Sequence, residues 1–369
     1  MATIGLDGTY TVDFQPSGVA VYSRKLIESL AALPTAHRFL VYYRLSRIRR
    51  RKAFICPTPS PGSRGPAFEV CLFQEPLTFW LPWRTDLFHS LAQRPPAFRF
   101  KREIVTIHDI FPVTGRDYST RDFQVKFTRL LEEAVQRAVR IITPSAYTAG
   151  QLAQHLSVPQ DRVRVIPEGV ELPWKALTAE GRVRERERLV GRGFEMVLNV
   201  GVLQTRKNTL NALRALETLP ERYRLVLVGG DGYGSEAIHE YIRRQGLWSR
   251  VQVRGYVALG ELQALYQSAS VLLFPSLEEG FGLPVLEAMA NGLPVVAART
   301  ASLPEVGGEA ALYVDPHDPR DIAGKVQGAV EDAELRRNMI EQGLKRAREF
   351  SWERVAEATL KVYDEVLSL

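Results

Sequence analysis

Cysteine is nearly absent from this chain: Cys56 and Cys71 are the only two in 369 residues. Their spacing fits neither a metal-binding pair nor a disulfide framework, and so low a content suits a reducing cytoplasm. No apolar run approaches the roughly twenty residues that a membrane-spanning helix needs. The opening stretch, Met1 to Asp7, lacks a basic region followed by an apolar one, so no signal peptide is expected. No Asp-rich D-x-D motif is present, and no bound metal is expected. The glycine cluster Gly229-Gly230-Asp231-Gly232-Tyr233-Gly234 has the wrong spacing for G-x-G-x-x-G, and G-x-x-x-x-G-K-S/T occurs nowhere. Those absences argue against an NAD-dependent dehydrogenase.

What is present reads as a soluble globular protein, with 45% hydrophobic and 24% charged residues and a length that points to two domains. The formal charge of +6 and pI near 9.3 favour anionic partners such as nucleotides or an acidic membrane surface. Many mildly basic enzymes, however, bind nothing through such a charge.

Short apolar runs alternate with helical periodicity along the chain. Strands are expected over Ala2 to Asp7, Phe39 to Tyr43, Asp86 to His89, Ile104 to Asp109, Ile141 to Ser145 and Val163 to Ile166. Val19 to Leu30 and Arg121 to Arg140 read as amphipathic helices between them. Leu172 to Arg192 turns proline-bearing and then strongly charged, which marks an interdomain connection. A second series follows over Met196 to Val200, Leu225 to Val228, Val251 to Tyr256, Val271 to Phe274 and Val295 to Ala298. Such alternation calls for parallel sheets in an α/β protein. Ser302 reads as an N-cap before Pro304 and Glu305. The tail, Ser351 to Leu369, reads as an amphipathic helix behind a capping Ser-Trp-Glu-Arg.

The stretch Ser276 to Ala290 carries the sharpest functional signal. After a buried strand it turns through Gly280 and Gly282 into a helix, with Pro284 expected at the first helical position. The N–H groups of Phe281 to Leu283 then point from a helix N-terminus, which makes an anion site. Glu279 and Glu287 flank it with carboxylates, a combination suited to a sugar nucleotide; the plainer reading is a strand, turn and helix with a surface and a capping glutamate. Arg206 and Lys207, where the loop after Val200 meets a helix, suit a diphosphate, or else form a basic surface turn. Polar residues at strand ends are site candidates in open α/β sheets, which singles out His89 and His108-Asp109 against the alternative of buried, satisfied histidines. Gly18 allows close backbone approach or simply eases a turn. Arg44 to Lys52 reads as a solvated loop or as a contact for anionic lipid headgroups. Pro57 to Pro66 must be loop. Leu77 to Trp83, dense in aromatics, reads as core packing or as a dock for a lipid-linked acceptor.

Glu279-Gly280-Phe281-Gly282-Leu283-Pro284, with Glu287 eight positions after Glu279, resembles the E-x7-E signature of the retaining glycosyltransferases of family 4. Its setting does too, from Tyr266-Gln267-Ser268-Ala269 to Gly292-Leu293-Pro294-Val295-Val296. So do Gly18 to Tyr22, His108-Asp109, Ile166-Pro167-Glu168-Gly169-Val170, Arg206-Lys207-Asn208 and Leu303-Pro304-Glu305-Val306. The matches span nearly the whole chain in the family's order. This resemblance implies the GT-B architecture: two Rossmann-like domains with parallel sheets facing across a cleft, and a C-terminal helix crossing back to the first domain. The implied limits are 1–172 for an acceptor-binding domain, 193–350 for a nucleotide-sugar-binding domain and 351–369 for the returning helix.

The resemblance also implies roles. Lys207 and Arg206, with the N–H groups at Gly282 and Leu283 and the neighbouring Gly201, Asn208 and Phe281, would hold the donor diphosphate. Glu287 would take the ribose hydroxyls, Glu279 would lie against the donor sugar, and Tyr256 and Val257 would receive the base. His108 would sit near the transferred sugar or its acceptor, and Gly18 would let the phosphate approach. One departure is Val202, where many members carry an arginine; Arg206 is the charge available to replace it. The implied activity moves a mannose- or glucose-type sugar from a GDP- or UDP-linked donor to a hydroxyl of a glycan or lipid-linked acceptor, with retention and no metal or other cofactor. Members with a similar Arg-Lys-Asn loop lean towards mannosyl transfer in polysaccharide or glycolipid synthesis. A cytoplasmic protein is expected, with peripheral contact at the inner membrane face open and nucleic acid not a partner. Competing readings are a catalytically silent scaffold of the same fold, an epimerase and a phosphorylase.

Overall fold

The computed structural model describes residues 1–13, 17–57, 65–75, 77–115, 117–173 and 176–369. Most of the expected Pro57–Pro66 loop lies outside them. The chain divides into two compact units, one of Met1–Thr114, Asp122–Gly169 and Phe350–Leu369, the other of Gly115–Arg121 and Val170–Glu349.

The first unit holds β1 (Thr3–Asp7), β2 (Arg38–Arg44), β3 (Ala67–Phe73), β4 (Leu87–Ser90), β5 (Glu103–Thr106), β6 (Arg140–Thr143) and β7 (Val163–Val165). They form one sheet in the order β3-β2-β1-β4-β5-β6-β7. The second unit holds β8 (Glu195–Val200), β9 (Tyr223–Val228), β10 (Val251–Val253), β11 (Val271–Phe274), β12 (Val295–Ala298) and β13 (Ala311–Val314), ordered β10-β9-β8-β11-β12-β13. Each pairing between these strands is parallel. Both sheets therefore run 3-2-1-4-5-6 when counted within their units, with one strand added in the first, and this is the Rossmann order. Order reverses between β1 and β4 in one sheet and between β8 and β11 in the other. Ligands in such folds bind beyond the strand ends at those points.

Apolar side chains explain why the strands sit inside. Leu272, Leu273, Val295 and Val296 are buried on both sheet faces, as expected where helices cover both. The C-terminal helix, Trp352–Ser368, supplies Val355, Val362, Tyr363 and Val366 to the core that Ile4, Leu26, Val41 and Leu87 build in the first unit. Each buried valine contributes about 1.5–3 kcal/mol. The expected return of this helix is thus observed, and Ser351 caps it by accepting from the Arg354 N–H at 3.2 Å. Among the described residues no helix is long and apolar enough to cross a membrane.

Several local expectations shift. Two edge strands, β3 and β13, were not foreseen; exposed Leu72 and the charge of Glu69 blur the pattern of the first. β5 ends at Thr106, so His108 and Asp109 lie beyond the strand rather than in it. The charged stretch read as a connection contains a helix, Ala179–Val190, stitched by ion pairs such as Arg188–Glu185 and buried through Leu189 and Val190. Leu45–Ala53 is wound into 3-10 turns. Ser302 stands at an N-cap position without capping: its hydroxyl turns instead to the Glu279 and Phe281 carbonyls, at 2.9 and 2.7 Å.

Candidate functional site

In the second unit the loops leaving β8 and β11 are joined at the point of reversal. The Leu277 N–H donates to the Arg206 carbonyl at 2.9 Å. Arg206, buried, donates from Nη1 to Glu279 Oε2 at 3.0 Å and also to the Glu278 carbonyl. Lys207 Nζ lies 2.5 Å from Glu279 Oε1 and 5.0 Å above the Phe274 ring. Burial pushes the Glu279 carboxyl up, but the Arg206 and Lys207 charges outweigh it and hold it at about 2. Glu279 is therefore an anion clamped between two cations. Asn208 keeps that loop in place: its φ is 58°, and its amide donates to the Pro275 and Pro316 carbonyls at 3.0 and 2.7 Å.

Glycines let the backbones come this close. At Gly229, with φ of 144°, a Cβ would stand 2.0 Å from the Gly201 carbonyl oxygen. Gly201, also at φ 144°, has the Lys207 side chain packed where its own Cβ would point. Gly282 has φ of 121° and precedes the Leu283–Ala290 helix. Pro284 is the second helical residue rather than the first, still within the turn whose N–H groups have no helical acceptor. The Gly282 and Leu283 N–H groups have no hydrogen-bond partner among the described residues. Phe281 beside them is buried.

Further into this helix Glu287 is half-buried and accepts from the Tyr266 hydroxyl at 2.7 Å. Tyr266 is a residue that sequence reasoning left without a role; its position at helical spacing resembles plain core. Tyr256 and Val257 follow β10, the first exposed and the second buried. Val202 is exposed, while Arg206 turns inward to Glu279.

In the first unit His108 lies beyond β5, with Nδ1 3.0 Å from Glu168 Oε1 and Nε2 3.0 Å from the Leu91 carbonyl. Tyr22 closes one side, its ring centroid 4.7 Å from the imidazole. Gly18 begins the same helix one turn earlier, behind a Ser17 cap. Glu168 also went unassigned in the sequence, although it follows β7 and so obeys the strand-end rule that flagged His108. His89 is a buried, satisfied histidine: Nδ1 meets the Tyr363 hydroxyl at 2.7 Å and Nε2 the Thr106 hydroxyl at 2.8 Å. Among the described residues no group of His, Cys, Asp and Glu could hold a metal ion.

Two units of Rossmann strand order, each with a parallel sheet, give the GT-B fold, and solved structures agree. A sucrose-phosphate synthase from Thermosynechococcus elongatus superposes with a TM-score of 0.76 at 22% identity, each chain covered to 100%. Anabaena HepE, solved in complex with UDP and glucose, gives 0.76 at 17% identity over 99% of this chain and 100% of that one. Two family models match, "Glycosyltransferase Family 4" over residues 16–173 and "Glycosyl transferases group 1" over 184–346. The O-antigen chain mannosyltransferase B of Escherichia coli is 27% identical over 96% of this chain and 98% of its own length. A D-inositol 3-phosphate glycosyltransferase from Acidothermus cellulolyticus is 34% identical over 71% of this chain and 62% of its own. The chain belongs to glycosyltransferase family 4, near its mannosyltransferase-like members.

Proposed function

We propose that the protein is a retaining, metal-independent hexosyltransferase that moves mannose or a glucose-type sugar from a GDP- or UDP-linked donor to a glycan or lipid-linked hydroxyl in cell-surface polysaccharide synthesis. The observation that carries this reading is the Arg206–Glu279–Lys207 cluster beside the open N–H groups of Gly282 and Leu283. Breaking the bond from sugar to diphosphate leaves charge on phosphate oxygens, and preorganised donors lower that barrier most. Lys207 meets that charge directly. Arg206 acts through Glu279, which it holds against the sugar. Glu287, oriented by Tyr266, takes the ribose, and the base lies by Tyr256 and Val257. On the front face of the sugar, the acceptor oxygen bonds to the anomeric carbon as the carbon–phosphate-oxygen bond breaks. The acceptor proton leaves on the departing phosphate oxygen, so configuration is retained. Mannose is favoured because the relatives named O-antigen mannosyltransferases include one matched over nearly its full length.

A lipid-linked acceptor is favoured by two neighbouring segments. β2 and β3 are parallel and pair Arg44 with Phe73, so Leu45–Ala53 and the aromatic stretch after β3 leave the sheet at one edge. Phe79, Trp80 and Trp83 are exposed, Trp83 to 81%. Arg47 and Arg50 are held by Asp13, whereas Arg49, Arg51 and Lys52 face solvent. Aromatics beside cations suit an anionic headgroup layer.

A thermal-shift panel of nucleoside diphosphates and their sugars tests the reading. A ligand at 100 times its Kd should stabilise the fold by about 2.7 kcal/mol. The matching sugar nucleotide should then release its nucleoside diphosphate only with acceptor present, faster on a polyprenyl-linked glycan than on the free glycan. Binding without turnover on any acceptor points to the silent scaffold instead.

A further inference from the structure

The two buried histidines of the first unit differ in what faces them. Each ring nitrogen of His89 meets a hydroxyl, which donates or accepts as needed, so a neutral ring is satisfied. Burial, and then the neighbouring His108, drive its pKa down to about 3. Each ring nitrogen of His108 meets an atom that only accepts: the Glu168 carboxylate and the Leu91 carbonyl. A neutral imidazole carries one N–H and would set a lone pair against one of those oxygens. An imidazolium satisfies both.

We propose that Glu168 is a positioning residue that keeps His108 doubly protonated, so that the ring serves the transfer as a hydrogen-bond donor and never as its base. This rests on the proposed function together with the placement of His108 beside the transferred sugar or its acceptor that the family resemblance implies. The Nε2–H now on the Leu91 carbonyl is the donor that a substrate oxygen would take over. A ring without a free lone pair cannot collect the acceptor proton, which must then leave on phosphate.

The surroundings agree. His108 and Glu168 are buried together, 8% and 4% exposed, so either charge alone would be strongly destabilising. Among the described residues the charged or titratable groups facing the ring are Glu168, Asp109 and His89, with the Tyr22 hydroxyl turned away to Thr106. The Thr148 hydroxyl donates to the His108 main chain rather than to its ring. Burial opposes the charged ring, but the Glu168 hydrogen bond and charge, then the Leu91 carbonyl and Asp109, raise its pKa overall. Because the folded value is raised, the pair's contribution is complete below the ordinary histidine range and is lost as pH rises through the folded value.

The test uses the full chain labelled with 15N in its histidines, the His108 signals being identified by their loss in His108→Gln. Both His108 ring nitrogens should still carry protons at a pH above the ordinary histidine range. One protonated nitrogen there overturns the proposal without any need for a folded variant. Glu168→Gln keeps a hydrogen-bond acceptor but removes the charge. It should lower kcat already at pH 6 and move the fall in activity to lower pH than in the parent, because burial then acts on the ring without the opposing carboxylate, with Glu168→Asp restoring both. A profile parallel to the parent's would mean a purely structural role and also overturns the proposal. His108→Ala separates this from the functional reading: unchanged transfer would remove His108 from the site whatever its charge.

Discussion

The two units repeat one strand order and do different things with it. Beyond β8 and β11, the second unit brings its main chains together: Gly201, Gly229 and Gly282 all have φ between 121° and 144°. Among the described residues every glycine with positive φ lies in this unit. Backbone N–H groups and two cations are what this arrangement offers, which suits a diphosphate. Beyond β4 and β5, the first unit presents side chains, a His108–Glu168 pair ringed by Tyr22 and Thr148, which suits hydroxyls. One topology thus carries two different candidate sites, because the loops after the strands, and not the sheet, choose the chemistry.

The comparison is broken most severely at Lys207. Lys207→Ala should lower kcat by about 10²-fold or more, since the proposed function makes Lys207 a donor to the leaving phosphate. Near-normal turnover would place diphosphate binding elsewhere. Next comes the claim that the second unit depends on backbone approach. Gly229→Ala should destabilise by roughly 2–4 kcal/mol in urea, because its Cβ meets main chain and its φ is unfavourable. Gly230→Ala, whose Cβ would meet nothing within 4 Å, should change stability little. Equal losses in the pair would show that the close approach is unimportant. The smallest effect should fall on Glu287→Ala, which should weaken nucleoside diphosphate binding about tenfold by calorimetry, without acceptor. Unchanged affinity would leave Glu287 as a partner for Tyr266 alone.

Charge state sharpens the contrast further. Glu279 has its folded pKa depressed to about 2, so its ion pairs are intact above the ordinary carboxylate range and fail only as pH falls through that value. In the first unit the raised His108 pKa gives the opposite sign, its pairing with Glu168 being lost as pH rises through the folded value.

Most strands, the Ser351 cap and the helix opened by Gly282 were legible because they depend on residues close in the chain. Val271 to Phe274 needs only its own apolar run to be a buried strand, and Ser351 needs only the Arg354 N–H to cap a helix. The residues proposed for the donor, Lys207, Glu279 and Glu287, could be named from the sequence for the same reason, each lying in a local motif. The strands β3 and β13 were not: exposed Leu72 and the charge of Glu69 blur the first, and the second is a four-residue run half-buried at its centre. Nor were the partnerships. Glu168 is 60 residues from His108, and Glu279 is 72 from Lys207. Only sheet order brings these strand ends together, and that order follows from packing helices on both faces with crossovers of one hand. The sequence by itself determined which segments are strands and which side chains carry charge. Tertiary structure decided which charges meet, and burial then set whether each partner remains ionised.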